Sequence, residues 1–173
     1  MRDAQARQRN HRDGGEAALV PVHPAVVHFP IALLPMVFVL ETIGHFGQRN
    51  ELRKAALWLL TIGVTAAWFA VLTGYLAQEH ASQTIRDSRG LELLQLHAKM
   101  AYAAAALWSG LLLGRIYLER PDTERWRPLW LAFAFLGSLV LFFTAYLGGR
   151  MVYEFGAGVA RFPAPVDLTP HRP

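Results

Sequence analysis

Four long apolar stretches with short polar joints leave this chain few possible folds. They run from about Pro24 to Phe46, Ala55 to Ala77, Leu91 to Leu118 and Leu129 to Tyr153. A hydrocarbon layer roughly 30 Å thick is crossed by about 20 helical residues, so each stretch is long enough. Lipid offers the backbone no hydrogen bonds, so such a stretch must pair its own amides and is read as a helix. The joints "GQRNELRK", "QEHASQTIRDSRG" and "ERPDTERWRP" are short, and short joints favour antiparallel neighbours. The predicted fold is all-α, a four-helix transmembrane bundle, up-down-up-down. It occupies residues 23–160, between a polar, disordered tail at 1–22 and a C-terminal tail at 161–173.

Composition agrees with a bilayer as the main partner: 53% of residues are hydrophobic and only 17% charged. That balance is unusual for a soluble domain. The net charge of +4 is spread over tails and joints, which argues against a nucleic-acid partner. Cysteine is absent, so disulfides, thiolate metal sites, iron–sulfur clusters and covalent c-type haem are excluded. Trp58, Trp108, Trp126, Trp130, Tyr75, Tyr117 and Tyr153 fall near predicted helix ends, where amphipathic rings favour the interface; Trp68 falls near mid-span.

The topology sorts the polar residues onto two faces. Helices one and three start, and helices two and four end, on what we call the motif face. His23, His28 and His97 reach it from helix starts; Glu79, His80, Arg150 and Glu154 reach it from helix ends. The opposite face holds His45 and the cations Arg49, Arg53, Lys54, Arg115, Arg120, Arg125 and Arg127, whereas the motif-face joint holds only Arg86 and Arg89. Cytoplasmic loops carry the excess of Lys and Arg. The expectation is therefore a multi-pass inner-membrane protein with its motif face and both termini outside the cytoplasm. Arg2, Arg7, Arg9 and Arg12 in the N-terminal tail pull the other way.

The opening "VHPAVVHFPIALLP" at 22–35 puts two histidines and three prolines into fourteen residues. Pro24 suits a first helical turn. Pro30 and Pro35 free the carbonyls of Val26 and Ile31, which must find partners in lipid. Small residues mark where membrane helices touch. Gly63, Ala67, Ala70 and Gly74 share a stripe of helix two. His97, Ala101, Ala104 and Ala105 share a face of helix three, with Gly110 and Gly114 beyond, and Ala32 lies one turn below His28. These stripes either pack helices tightly or leave room for a planar group beside an imidazole. Glu41, one turn before His45, reads as an i,i+4 partner for it.

The segments "HPAVVHFPIALLP" at 23–35, Glu41, Thr73–Gly74, His97 and "LGGRMVYEFGAGV" at 147–159 resemble the bacterial four-helix membrane family known as domain of unknown function 2231. The likeness spans about residues 23–160. Met151 stands where that family often has leucine, and Arg150 occupies a variable slot to which the resemblance assigns no role. The family has no settled activity. Its members are similar to domains fused to c-type cytochrome or Rieske modules, which implies a respiratory or electron-transfer setting and an extracytoplasmic cytochrome or other redox protein as partner.

Three readings compete for the motif face, because ionisable groups inside a membrane point to function by default. In the first, His28 and His97, judged to lie at matched depth on parallel helices, are axial ligands of one haem b, with Arg150 or Lys99 near its propionates. In the second, His23, His28, His80 and His97, with Glu79 or Glu154, hold a bare metal ion. In the third, the imidazoles are structural pins in a cofactor-free membrane anchor, assembly or permeation subunit. Helix four is expected to end in a bent, glycine-rich segment, with Phe155, Val159 and Phe162 along the surface. No nucleophile–base pair or phosphate-cradling loop is visible, so an enzyme is not expected.

Overall fold

The computed structural model describes residues 22–159. The expected tails fall outside the described residues, apart from Val22 at the first helical position, and so does Phe162. Four helices follow in order: α1 (Val22–Phe46), α2 (Asn50–Thr84), α3 (Ser88–Tyr117) and α4 (Arg127–Phe155), with a 3-10 turn (Pro121–Trp126) leading into α4. Among the described residues there is no strand. α1 packs on α2 and α4, and α3 packs on the same two. α1 and α3 therefore face each other diagonally across the bundle and start at the same end.

Three helices, α1, α2 and the 3-10 turn with α4, are long and apolar enough to cross a membrane. α3 is 30 residues long but carries Glu92, Gln95, His97, Lys99 and Arg115. It packs along α2 and α4 with His97 and Arg115 turned inward. The outer surface is a belt of exposed Phe, Leu, Ile and Trp, including Phe29, Ile43, Phe69, Leu72, Leu113, Phe133 and Phe142. A soluble monomer does not expose apolar area on that scale.

α1 runs unbroken through Pro30 and Pro35. α2 is 35 residues long, about 52 Å at the usual helical rise, and stands proud of the 55–77 stretch at both ends. Close approach explains several small residues. A Cβ on Gly63 would come within 2.6 Å of Leu34, and one on Gly114 within 3.3 Å of Trp130. Gly110, by contrast, is exposed and meets nothing. Two tryptophans expected at the interface are core residues instead. Trp108 and Trp130 are buried, and their indole N–H groups donate to the carbonyls of Gly137 (3.3 Å) and Leu111 (2.8 Å). A buried indole needs such an acceptor. Trp58 and Trp126 are exposed as expected.

The apolar core forms two separate clusters. The larger reaches from Leu34 and Ala67 to Leu118 and Trp130. The smaller joins Ile85, Leu94, Met151 and Ala157 near the motif face. Met151, in place of leucine, fills that second cluster, a swap of similar volume. Between the clusters lies a layer of small and polar residues: His23, Thr73, Gly74, His97, Thr144 and Gly148.

Candidate functional site

The layer between the clusters is built from the sequence motifs. His23, second in α1, turns onto α2, where its Nδ1 lies 3.2 Å from Thr73 Oγ1. The Thr73 hydroxyl donates its only proton to the Ala70 carbonyl at 3.0 Å, so its oxygen accepts and His23 Nδ1–H donates. The ring rests on Gly74, where a Cβ would stand 2.8 Å from His23 Cε1. His97, on α3, donates from Nδ1–H to the Thr144 carbonyl at 3.0 Å. It rests on Gly148, where a Cβ would stand 3.2 Å from His97 Cε1. A carbonyl only accepts, so this bond fixes the tautomer. In both rings Nε2 keeps its lone pair, and the two rings lie within electrostatic reach of each other.

His28 is not part of this pair. It is exposed, and its Nδ1–H donates back to the Pro24 carbonyl at 2.6 Å. Five residues of α-helix rotate a side chain by about 140°, so His23 inside puts His28 outside, on the face shared with the exposed Ala32. The expected depth match between His28 and His97 fails because α3 starts at Ser88, placing His97 ten residues in, level with the first turn of α1. His80 lies seven residues, about 10 Å, further along α2 than Thr73. Among the described residues no three of His, Asp and Glu come together as a metal set, so His23, His28, His80 and His97 do not assemble into one. Lys99 is exposed. Arg150 is bound to Glu154 through Nε (2.7 Å) and Nη2 (2.5 Å) and lies over the Tyr146 ring. No side chain bonds the freed carbonyls of Val26 or Ile31 among the described residues.

The glycine-rich ending also has a geometric reason. α4 continues straight through Gly148 and Gly149 and stops at Gly156, which has φ 66°, a left-handed value that favours glycine. Gly158 repeats it at φ 70°, and its N–H donates to Thr84 Oγ1 at 2.9 Å. The chain end is thereby tied to α2. Gly90 makes room for Phe155, which a Cβ there would meet at 2.8 Å.

The opposite end holds a network that the sequence reading did not assemble. Glu41 is 0% exposed, Arg115 2% and Arg127 0%. Glu41 accepts from Arg115 Nε through one oxygen and from Arg127 Nη1 at 2.9 Å through the other. Arg115 also donates to Glu119 and to the Arg53 carbonyl, and Arg127 to Glu124 and the Leu118 carbonyl. Arg53 pairs with Glu124 at 3.3 Å. The expected Glu41–His45 pair does not form; His45 lies 3.5 Å from Glu124 instead. Three residues counted as loop cations, Arg53, Arg115 and Arg127, thus belong to the closure of the bundle. A signal for this existed in the sequence. Glu41 and Arg115 have opposite charge, and each lies a few residues inside an apolar stretch that ends on the same face.

No curated protein and no solved structure matches the chain. One family model does, described as "Predicted membrane protein (DUF2231)", over residues 19–161. That span contains all four helices, both histidine seats and the buried ion pairs, and the chain belongs to this family of integral membrane proteins.

Proposed function

We propose that the protein is a membrane component of an electron-transfer system that holds one b-type haem between His23 and His97. The observation that carries this reading is the shared state of the two rings. Each projects inward from one of two diagonal, parallel helices. Each donates from Nδ1 to a fixed oxygen, Thr73 Oγ1 or the Thr144 carbonyl, and keeps Nε2 for a ligand. Outer-shell bonds of this kind orient a ligating imidazole and raise its basicity. The donor set also fits: two histidines suffice for haem, whereas a bare metal ion needs a third ligand that this layer lacks. Gly74 and Gly148 support the rings, and the small side chains of Ala70 and Ala101 border the layer. Haem held there supplies single-electron transfer.

The finer placement belongs to the same proposal. The exposed cations Arg49, Lys54, Arg120 and Arg125 support a cytoplasmic Glu41 end, since cytoplasmic loops carry the excess of Lys and Arg. The histidine pair then lies toward the outer face of the inner membrane, within reach of an extracytoplasmic cytochrome or other redox protein. The visible spectrum of the full-length protein, purified in detergent from cells supplied with haem, tests the reading. Sharp bands on dithionite reduction and about one haem per chain are expected; a colourless protein overturns it.

One observation favours a second reading. His23, His28 and His97 each already have a partner at Nδ1, as pins in a cofactor-free anchor would. The colourless outcome selects that reading.

A further inference from the structure

A cavity of about 670 Å³ opens on the motif face, clear of the histidine pair. Arg86, Arg89 and Arg150 face it, together with Asp87 and Glu154, over an apolar wall of Leu93 and Phe155. Three guanidinium groups against two carboxylates leave one positive charge uncompensated. The carboxylates are committed. Asp87 Oδ1 caps α3 by accepting from Arg89 N at 2.9 Å, while Oδ2 accepts from Arg89 Nη2 at 3.1 Å. Glu154 takes both Nε and Nη2 of Arg150. These pairs hold two guanidinium planes at the rim and leave other N–H groups unused. Arg86 is exposed and has no carboxylate partner among the described residues.

The height of the cavity matters as much as its charge. The apolar stretch of α2 ends near Ala77, and the cavity begins at Thr84, seven residues or about 10 Å further out. The headgroup layer occupies roughly 5–8 Å on each side of the hydrocarbon. The cavity therefore begins just outside the headgroup layer, and long arginine side chains reach back from there to the phosphates, with Leu93 and Phe155 as its apolar wall.

We propose that this cavity binds the phosphate of an anionic phospholipid, through Arg86 with Arg89 and Arg150. The site uses none of the histidines and stands or falls separately from haem. The full-length protein in detergent is titrated with phosphatidylglycerol, with phosphatidylcholine and with inorganic phosphate, and binding is read by native mass spectrometry. The parent should prefer phosphatidylglycerol to phosphatidylcholine. Arg86→Gln should cut that preference about fivefold, the effect expected of one cation near an anionic headgroup. Arg125→Gln, an exposed change at the other end of the bundle, should leave it unchanged. If inorganic phosphate binds in an Arg86-dependent way while phosphatidylglycerol has no advantage, the site stands as a phosphate site and the lipid as its source is overturned. Equal binding of both lipids without phosphate binding, or a preference that survives Arg86→Gln, overturns the site itself.

Discussion

At the Glu41 end, charged side chains from α1, α2, α3, the 3-10 turn and α4 meet in one network, three of them almost fully buried. At the His23 end, two imidazole rings lie on glycines and make one hydrogen bond apiece to the protein. Both ends are polar inclusions in an apolar bundle, but they differ in what they leave unused. In the network Arg115 and Arg127 both donate to Glu41, and among the described residues the one buried side-chain polar atom without a partner is Arg53 Nε at its edge. The histidine layer keeps one nitrogen of each ring free. A membrane bundle has no hydrophobic drive to hold its helices together. One end locks the helices with buried ion pairs, and the other seats its two rings closely on glycines.

The strongest way to break this contrast is at Glu41. Glu41→Gln leaves two buried guanidinium groups facing each other, and removing one member of a buried ion pair costs about 3–5 kcal/mol. Denaturant unfolding in mixed micelles should register that loss. Replacing the cluster as a whole, with Glu41→Leu, Arg115→Met and Arg127→Met, should recover most of it, because well-packed apolar substitutes are often neutral. A mild Glu41→Gln would mean that water reaches the cluster.

Gly74→Ala should be the costliest single change at the histidine end. Its Cβ would stand 2.8 Å from His23 Cε1, and overpacking of this kind costs about 1–3 kcal/mol. Gly148→Ala, at 3.2 Å from His97, should cost less. Equal unfolding midpoints for the two variants would contradict the seating of His23. Next come the rings. His23→Ala and His97→Ala in the haem-free protein should each cost about one hydrogen bond, roughly 0.5–1.5 kcal/mol. His28→Ala should stay within about 0.5 kcal/mol of the parent, as an exposed change does.

The smallest effect is acid dependence. In the joint after α3, the Arg115 guanidinium holds the Glu119 carboxyl below the usual carboxylate range. A depressed folded-state pKa gives stability that is fully present above the unfolded value and is lost as pH falls through the folded one. Unfolding midpoints should therefore be flat from neutral pH down to the ordinary glutamate range and drop below it. Glu119→Gln should shrink the drop; an unchanged acid limb would place it elsewhere.

Helix number, order and direction were legible in the sequence because apolar length in lipid admits few alternatives. The site was legible only in part. His97 and the Thr73–Gly74 and Gly148–Gly149 steps were visible as motifs, but not that each glycine carries a ring. Depth counted from apolar boundaries favours His28 over His23, whereas α3 begins earlier, at Ser88 in the polar joint. Trp108, Trp130, Arg115 and Arg127 were assigned to the interface by type. Their inward direction depends on which partners the other helices present, and no single stretch contains that information.

One comparison separates His23 from His28 as the partner of His97: the dithionite-reduced spectrum and haem content of the full-length parent, His23→Ala and His28→Ala, purified alike. Bands are expected in the parent, with retention in His28→Ala and loss in His23→Ala. Haem lost from His28→Ala and kept in His23→Ala, or a parent without haem, would contradict the pairing of His23 with His97.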